Sequence, residues 1–574
     1  MKMQSMSIHN FRSIKDVKIN LDNYSLLIGA NNAGKTNLLT ALRIFYEDGI
    51  KFDEKTDFPK FITVDTESWI ELEFKLSDDE FSNLKEEYKN SDNLLRVRKY
   101  LKSSSNLVKA NQSNIYAYEN GQLSNNLFYG AKNISQAKLG DVIYIPETAT
   151  TDENLKLSGP SPLRNMITFI MKKVTKTSSS FQNLNDTFDE FNKKFRDEQS
   201  KDGFSIKSLV DDINVCLSEW QIKFDLIINP IDSTGLIKNL VSHTVRDDVL
   251  DQDISIKNFG QGLQRHIIFT LLRLSAQYVE KKESTKKDFS PDFTLILFEE
   301  PEAFLHPSQQ ECLNKSLKKL SSEHGNQILI STHSPVFVSR NTDDLPGLTR
   351  IKRISGETTI FQISKNVSDA IFNENSQLAQ VLKDKLSEPE VDAQTKNRIR
   401  RMLGDTEDAQ RMEEESIRYI LWLDSSRCSA FFAESVIIVE GPTEKVFLDY
   451  LIQNKWECII DKKTCIVDAI GKFNLHRYMN LFKELGIEHS IIMDSDENQT
   501  VHEYINQFIM TRKNDYTHEI YAFDKDIETF LGISSPSGDR KDKKPLNVMW
   551  NYFQEKIKQE KIDELKKIVL SLIT

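Results

Sequence analysis

The order of apolar and polar positions divides the chain into stretches of different rhythm. Short apolar runs come first, spaced as strands are: Ser7-Ile8-His9-Asn10-Phe11-Arg12, then Val17 to Leu21, then Tyr24-Ser25-Leu26-Leu27-Ile28. A helical spacing follows at Leu38, Leu39, Leu42, Ile44 and Phe45. From about Glu153 to Gln221 the chain turns polar, and its apolar residues recur at helix spacing, as in Leu184-Phe188-Phe191-Phe195 and Leu209-Ile213-Leu217. That pattern predicts two or three amphipathic helices interrupting the first sheet. Strands return at Lys223 to Ile228, Phe293 to Phe298 and Gln327 to Ile330. A second helical block, rich in charge, runs from about Lys365 to Asp424. Beyond it, apolar strands at Val436 to Val439 and Ser490 to Met493, with a shorter one near Val467, alternate with helical stretches as βαβαβ.

The fold class expected is therefore α/β multidomain. Residues 1–152 and 222–364 form two parts of one head, 153–221 a helical insertion, 365–430 a helical connector, and 431–574 a Rossmann-like domain. The insertion could pair with its copy in another subunit. At 574 residues the chain is too long for one core. Its 39% hydrophobic and 28% charged residues are ordinary for a soluble protein, and no apolar run reaches bilayer length. The first residues, Met1 to Ser5, lack the apolar core of a secretory signal. Five scattered cysteines without a C-x-x-C pair exclude a zinc ribbon and a disulfide framework, and fit a cytoplasmic protein. The net charge of −11 does not advertise nucleic-acid binding, although basic clusters stand at Lys396 to Arg401 and Arg540 to Lys544.

Candidate chemistry begins at Gly29-Ala30-Asn31-Asn32-Ala33-Gly34-Lys35-Thr36, a G-x-x-x-x-G-K-T between strand and helix. Backbone N–H groups of Gly29, Asn31, Asn32 and Gly34 would curl around phosphates, and the helix N-terminus adds partial positive charge. Lys35 would reach the β- and γ-phosphates of ATP, and Thr36 would offer its hydroxyl to Mg²⁺. The apolar strand before Glu299-Glu300-Pro301-Glu302 suits a Walker B element, Glu299 helping to hold the metal and Glu300 polarising water. A further strand delivers Ser331-Thr332-His333-Ser334-Pro335, with His333 a γ-phosphate contact. Before Walker B, Gly260, Gly262 and Gln264 open an apolar helix suited to a phosphate held by a facing head. These motifs, in this order, resemble ABC ATPases of the chromosome-maintenance and DNA-repair type, as does Asn10-Phe11-Arg12-Ser13-Ile14. The resemblance implies two heads sandwiching two nucleotides. Gly260 stands where that family usually has serine, which leaves open whether nucleotide is hydrolysed quickly or acts mainly as a switch.

In the last third, an apolar strand ends in Glu440-Gly441, and a second ends in Asp494-Ser495-Asp496. Acids at the C-terminal ends of parallel strands converge, repel one another, and suit a hard cation such as Mg²⁺ or Mn²⁺. The arrangement resembles the TOPRIM domain of topoisomerases, primases and certain nucleases. Glu444, then Asp526 and Glu528, then Lys543-Lys544 narrow the resemblance to the OLD (overcoming lysogenization defect) nucleases, over nearly the whole chain. That resemblance implies two metals held by Glu440, Glu444, Asp494, Asp496, Asp526 and Glu528, with Lys544 (or Lys543) stabilising a phosphodiester in its transition state. The activity implied is ATP-regulated DNA cleavage.

Rival readings need other features. A topoisomerase requires a tyrosine-bearing cleavage domain, and a primase usually a zinc ribbon. An ATP-gated DNA-binding scaffold with a non-cutting TOPRIM module would leave the acids idle, and buried unused carboxylates are costly. Systems that such nucleases resemble include bacterial anti-phage defences: Gabija, where the partner is a helicase, and retrons, where it is a reverse transcriptase with its RNA–DNA product. Homodimers or tetramers are expected; the sign of ATP control is open.

Overall fold

In the computed structural model, residues 1–147 are described apart from 106 and 110. Within 148–285 the described residues are chiefly 198–217 apart from 203, 244–247, and 251–264 apart from 261, with scattered others. Beyond 285 all are described except 286–288, 290, 292, 324, 339–341, 404–422, 497–499, 537–542 and 574. The chain divides into two compact units, one of residues 1–147 and 286–574, the other of 148–285.

The first unit begins with β1 (Lys2–Phe11), β2 (Ile14–Asn20) and β3 (Tyr24–Ile28), then β4 (Ser68–Lys75), β5 (Leu94–Lys102), β6 (Ile115–Glu119), β7 (Gln122–Leu127) and β8 (Asp141–Ile145). Six of these form an antiparallel sheet in the order β2-β1-β4-β5-β6-β7. The helix Lys35–Phe45 lies against it, burying Leu38, Leu39, Ala41, Leu42, Ile44 and Phe45 among Met6, Ile8, Leu72 and Leu297. Each large side chain so buried contributes about 1.5–3 kcal/mol. Its last turn is held by Lys99, whose Nζ donates to the Phe45 carbonyl at 3.1 Å, satisfying an end-of-helix acceptor.

The second unit contains the helix Ile206–Leu217, β9 (Val245–Asp247) and β10 (Gln252–Ile254), which pair antiparallel. The strand expected at Lys223 to Ile228 and most of the first amphipathic repeat lie outside the described residues. So does most of the basic run from Arg540, and in the connector 404–422 are likewise not described.

The first unit resumes with β11 (Thr294–Glu299), β12 (Asn326–Thr332), β13 (Leu348–Ile354) and β14 (Glu357–Gln362). They complete a second sheet, in the order β14-β13-β3-β12-β11-β8, parallel from β13 to β8. Such a sheet is buried on both faces, which is why β3, β11 and β12 read as continuous apolar runs rather than alternating ones. The helices Lys365–Ser387 and Ala393–Leu403 follow. Then β15 (Ser435–Val439), β16 (Thr464–Asp468), β17 (Glu488–Asp494) and β18 (Thr517–Phe523) form a parallel sheet in the order β16-β15-β17-β18. Its core joins Val439 and Ile492 to Phe447, Leu451, Leu565 and Val569 from its helices. Among the described residues, no helix is long and apolar enough to cross a membrane.

One hairpin joins the nucleotide-binding sheet to the last domain. β13 and β14 are linked by Ser355 and Gly356, both at positive φ, as a two-residue hairpin turn requires. Arg350 on β13 is buried, and its guanidinium donates to the carbonyls of Phe431 (3.1 Å), Ala433 (2.9 Å), Leu485 (3.1 Å) and Gly486 (2.9 Å). Those carbonyls lie just before β15 and β17. Burial lowers the Arg350 pKa to about 10, which still leaves it charged at neutral pH. Gly486 is required by close approach, since a Cβ there would meet the Phe361 ring of β14 at 2.3 Å. Replacing Arg350 with leucine strips four buried carbonyls of their donor. The expected cost is about 3–5 kcal/mol, read as a lower calorimetric midpoint and faster proteolysis in the C-terminal domain. An unchanged melting profile would show that the carbonyls find other donors.

Candidate nucleotide and metal centres

The phosphate-binding loop forms where β3 runs out of the sheet. Gly29 (φ 146) and Gly34 (φ 116) adopt backbone conformations that L side chains rarely take, and Asn32 sits in the left-handed region at φ 64. Asn31 and Asn32 are exposed on the loop. A Cβ on Gly34 would also lie 2.4 Å from Thr358 Oγ1. Thr358 of β14 braces the loop, its Oγ1 donating to the Ala33 carbonyl at 3.2 Å and lying 2.7 Å from Ser13 Oγ.

Lys35 is buried, its Nζ donating to the Gly29 and Ala30 carbonyls at 3.0 and 3.1 Å and lying 2.8 Å from His333 Nε2. Burial lowers its pKa to about 8, against the pull of Glu300, Glu302 and Glu299. For His333, burial and then Lys35 lower the pKa to about 4, so the ring is neutral at pH 7 and accepts from the ammonium. The same nitrogen lies 3.2 Å from Glu300 Oε1. A neutral ring cannot donate from the nitrogen that accepts from Lys35, so we read this contact as proximity rather than an ion pair. Thr36 donates to Glu299 Oε1 at 2.6 Å, and the Tyr144 hydroxyl donates to Glu299 Oε2. Glu300 has φ 44, an uncommon conformation for a residue with a side chain and one found at functional sites.

The structure thus brings together Gly29, Asn31, Asn32, Gly34, Lys35, Thr36, Glu299, Glu300 and His333 from the ends of adjacent strands β3, β12 and β11. It adds two groups that motif reading passed over. Tyr144 comes from β8 and carries no motif. Glu302 accepts from the His333 backbone N–H at 2.6 Å, and burial raises its pKa. Gly260, Gly262 and Gln264 belong to the other unit. There Gly260 opens a helical turn, its carbonyl accepting from the N–H of Leu263 and Gln264, while Gln264 Nε2 donates back to the Phe259 carbonyl at 2.8 Å.

In the last domain, β15 delivers Glu440 and β17 delivers Asp494 and Asp496, whose φ is 53. Glu444 lies in the first turn of the helix Pro442–Asn454, where its Oε2 accepts from the Gly441 N–H at 3.1 Å. Asp526 caps the short helix Ile527–Phe530 by accepting from Thr529 N–H at 2.8 Å, and Glu528 beside it is fully buried. Lys544, at the start of the helix Lys544–Phe553, lies 3.4 Å from Glu528 Oε2.

Two further basic side chains belong to the cluster. Lys472 is 1% exposed; its Nζ donates to Asp496 Oδ2 at 2.6 Å and to the Asp494 carbonyl, and lies 3.7 Å from Glu440 Oε2. His502 Nδ1 lies 3.0 Å from the same Asp496 oxygen. Lys472 follows Gly471 just beyond the short strand near Val467, and nothing in that spacing shows that the lysine points inward. Burial opposes ionisation of Asp496, but His502 and Lys472 outweigh it and hold that carboxyl well below its usual range. Burial raises Asp494 and Glu444, and the neighbouring carboxylates push each further up.

These are hard oxygen donors. Among the described residues, Asp494 Oδ1 and Glu528 Oε1 are buried without a hydrogen-bond partner, which fits a divalent cation. Among the described residues, however, no three His, Cys, Asp or Glu side chains are arranged to hold an ion as they stand. The lysine ammonium lies against Glu440 and Asp496 instead.

The family model for the AAA ATPase domain matches residues 1–338, well over half the chain, including every element of the nucleotide site. The chain belongs to that family. A second model, the Overcoming lysogenization defect protein-like TOPRIM domain, matches 431–496, the segment from the Arg350 anchor to Asp496. The Old nuclease of Escherichia phage P2 is 24% identical over 530 residues, covering 90% of this chain and 79% of that protein. Endonuclease GajA of Bacillus cereus (strain VD045) is 24% identical over 519 residues, covering 86% and 75% respectively. The OLD nuclease of Thermus scotoductus is 22% identical over 514 residues, covering 86% and 82%. This AAA-family chain therefore joins an ATPase head to an OLD-like TOPRIM domain.

The raised carboxyls make a signed prediction. The folded chain holds these protons more tightly than the unfolded chain does, so their contribution to stability is full at low pH. It is lost as pH rises from about 4, the ordinary carboxylate range, toward the raised values. In chelator, the melting temperature should fall as pH is raised from 5 to 9. Mn²⁺ should remove much of that fall, because it binds the deprotonated cluster. Asp494→Asn should flatten the dependence. A wild-type profile in chelator that is already flat would show that burial does not strain these groups.

Proposed function

We propose that this protein is an ATP-binding and hydrolysing, Mg²⁺- or Mn²⁺-dependent DNA endonuclease whose cleavage is governed by nucleotide. The observation that carries the reading is the buried carboxylate cluster, with unpartnered oxygens on Asp494 and Glu528, beside Lys544. Its position in a chain similar over 90% and 86% of its length to proteins named nucleases supports it.

Glu440, Glu444, Asp494, Asp496, Asp526 and Glu528 are the residues that would hold metal. A bound divalent ion supplies Lewis-acid charge and a water of lowered pKa. Lys544 is held charged: burial lowers its pKa, but Glu528, Asp494 and Asp526 outweigh that and raise it. An ammonium so placed offsets negative charge on a phosphodiester. In the head, Lys35 and the loop N–H groups would bind the phosphates, and Thr36 and Glu299 would hold Mg²⁺. Glu300 would polarise a water, and neutral His333 would contact the terminal phosphate. Gly260, Gly262 and Gln264 serve as the signature element. Nucleotide state reaches the TOPRIM domain through the β13–β14 hairpin, which touches the loop at Thr358 and the far domain at Arg350.

The domain division proposed remains 1–152 and 222–364 for the head, 153–221 for the insertion, 365–430 for the connector and 431–574 for TOPRIM. The protein acts in the cytoplasm as a homodimer or tetramer, in anti-phage defence, with a helicase or a reverse transcriptase and its RNA–DNA product as partner. A non-cutting scaffold is disfavoured by the buried acids.

The test is supercoiled plasmid incubated with Mg²⁺ or Mn²⁺, with and without ATP, beside Asp494→Ala and Lys35→Ala. Cleavage should fall to background in Asp494→Ala, a loss of at least about 10³-fold. Lys35→Ala should abolish ATP binding, measured with a fluorescent nucleotide, and with it any effect of ATP on cleavage. Wild-type protein that binds ATP and DNA but cuts under no condition, including with phage extract added, would favour the scaffold.

A further inference from the structure

The TOPRIM cluster is unevenly balanced in charge. On one side, Glu440 and Asp496 share the buried ammonium of Lys472, and Asp496 also faces His502. On the other, Asp494 Oδ1 and Glu528 Oε1 are buried without a hydrogen-bond partner among the described residues, and Lys544 lies 3.4 Å from the second oxygen of Glu528. Glu440 Oε2 accepts from the Asp494 N–H at 3.3 Å, and Glu444 Oε2 accepts from the N–H of Gly441, the residue after Glu440, at 3.1 Å. A lysine 1% exposed is expensive to bury unless its charge is matched, and here acids at the ends of two different strands, β15 and β17, supply the match. Its backbone is fixed by Ile470 and Gly471, both at positive φ, and by the Gly471 N–H donating to the Glu440 carbonyl at 2.7 Å.

We propose that Lys472 is a positioning residue that acts as a built-in cation of the TOPRIM centre. It holds Glu440 and Asp496 in place before metal arrives, and it leaves the side that carries the unpartnered oxygens of Asp494 and Glu528 as the place where a divalent ion binds first. A second ion reaches the Glu440 and Asp496 side only in competition with the ammonium, so the two metal places differ in affinity because of this side chain. The inference rests on the nuclease reading for the identity of the centre, but its test does not need cleavage.

Mn²⁺ is titrated into the full-length chain without nucleotide, free ion being followed by electron paramagnetic resonance. Wild type, Lys472→Met, Lys472→Arg and Asp494→Asn are compared. Wild type should bind one ion tightly in the TOPRIM centre and another much more weakly. Lys472→Met should tighten the weak ion by about tenfold or more, since a competing charge is gone. Its melting temperature should fall in chelator and recover with Mn²⁺. Lys472→Arg should restore the wild-type pattern. Two equally tight ions in wild type, or a Lys472→Met chain with unchanged binding, would overturn the proposal. So would a Lys472→Met chain that fails to fold even with Mn²⁺ present. If Asp494→Asn also binds Mn²⁺ as wild type does, the metal reading of the whole centre fails. If Asp494→Asn loses the tight ion while Lys472→Met changes nothing, only the role of Lys472 fails.

Discussion

The guanidinium of Arg350 is the contact on which the arrangement of both centres in the first unit depends. It leaves β13, the strand next to the edge of the nucleotide-binding sheet, and is satisfied by four main-chain carbonyls, two before β15 and two before β17. β15 and β17 are the strands whose opposite ends carry Glu440, Asp494 and Asp496. A planar group with fixed donors fixes strand starts more tightly than apolar packing can, because its hydrogen bonds are directional and buried. The same hairpin presses Thr358 against Gly34 and Phe361 against Gly486, so one short antiparallel element is in register with a phosphate loop on one side and a carboxylate cluster on the other.

Both centres place like charges together and then balance them unequally. In the head, Lys35 is held by carbonyls and a neutral histidine, while Glu299 receives hydrogen bonds from Thr36 and Tyr144. In the TOPRIM domain, Asp496 beside Lys472 and His502 is held charged, whereas burial pushes Glu440, Asp494 and Glu444 toward protonation. Such division comes from distance to a fixed cation in a medium of low dielectric, where a neighbour's charge is felt strongly.

Much of this was readable in order along the chain. G-x-x-x-x-G-K-T, the acids after β11, and the acids after β15 and β17 all sit at strand ends, and strands buried on both faces announce themselves as apolar runs. Arg350 was not readable. It stands in Leu348-Thr349-Arg350-Ile351, where a polar residue in an apolar strand looks like an exposed edge position. Lys472 was missed for a similar reason, since a lysine after a glycine turn is ordinarily a solvated one. Tyr144 carries no motif at all and is 155 positions from the Glu299 it touches.

The sequence by itself therefore determined the elements, their α/β alternation and the chemical type of each centre, because helix and strand periodicity and strand-end motifs are local in the chain. Tertiary structure decided which cations face which acids. It paired Lys472 with Asp496 across 24 positions and Arg350 with Gly486 across 136. It also set the protonation of Asp494 and Glu444, since burial and the approach of other charges exist only once the strands lie side by side.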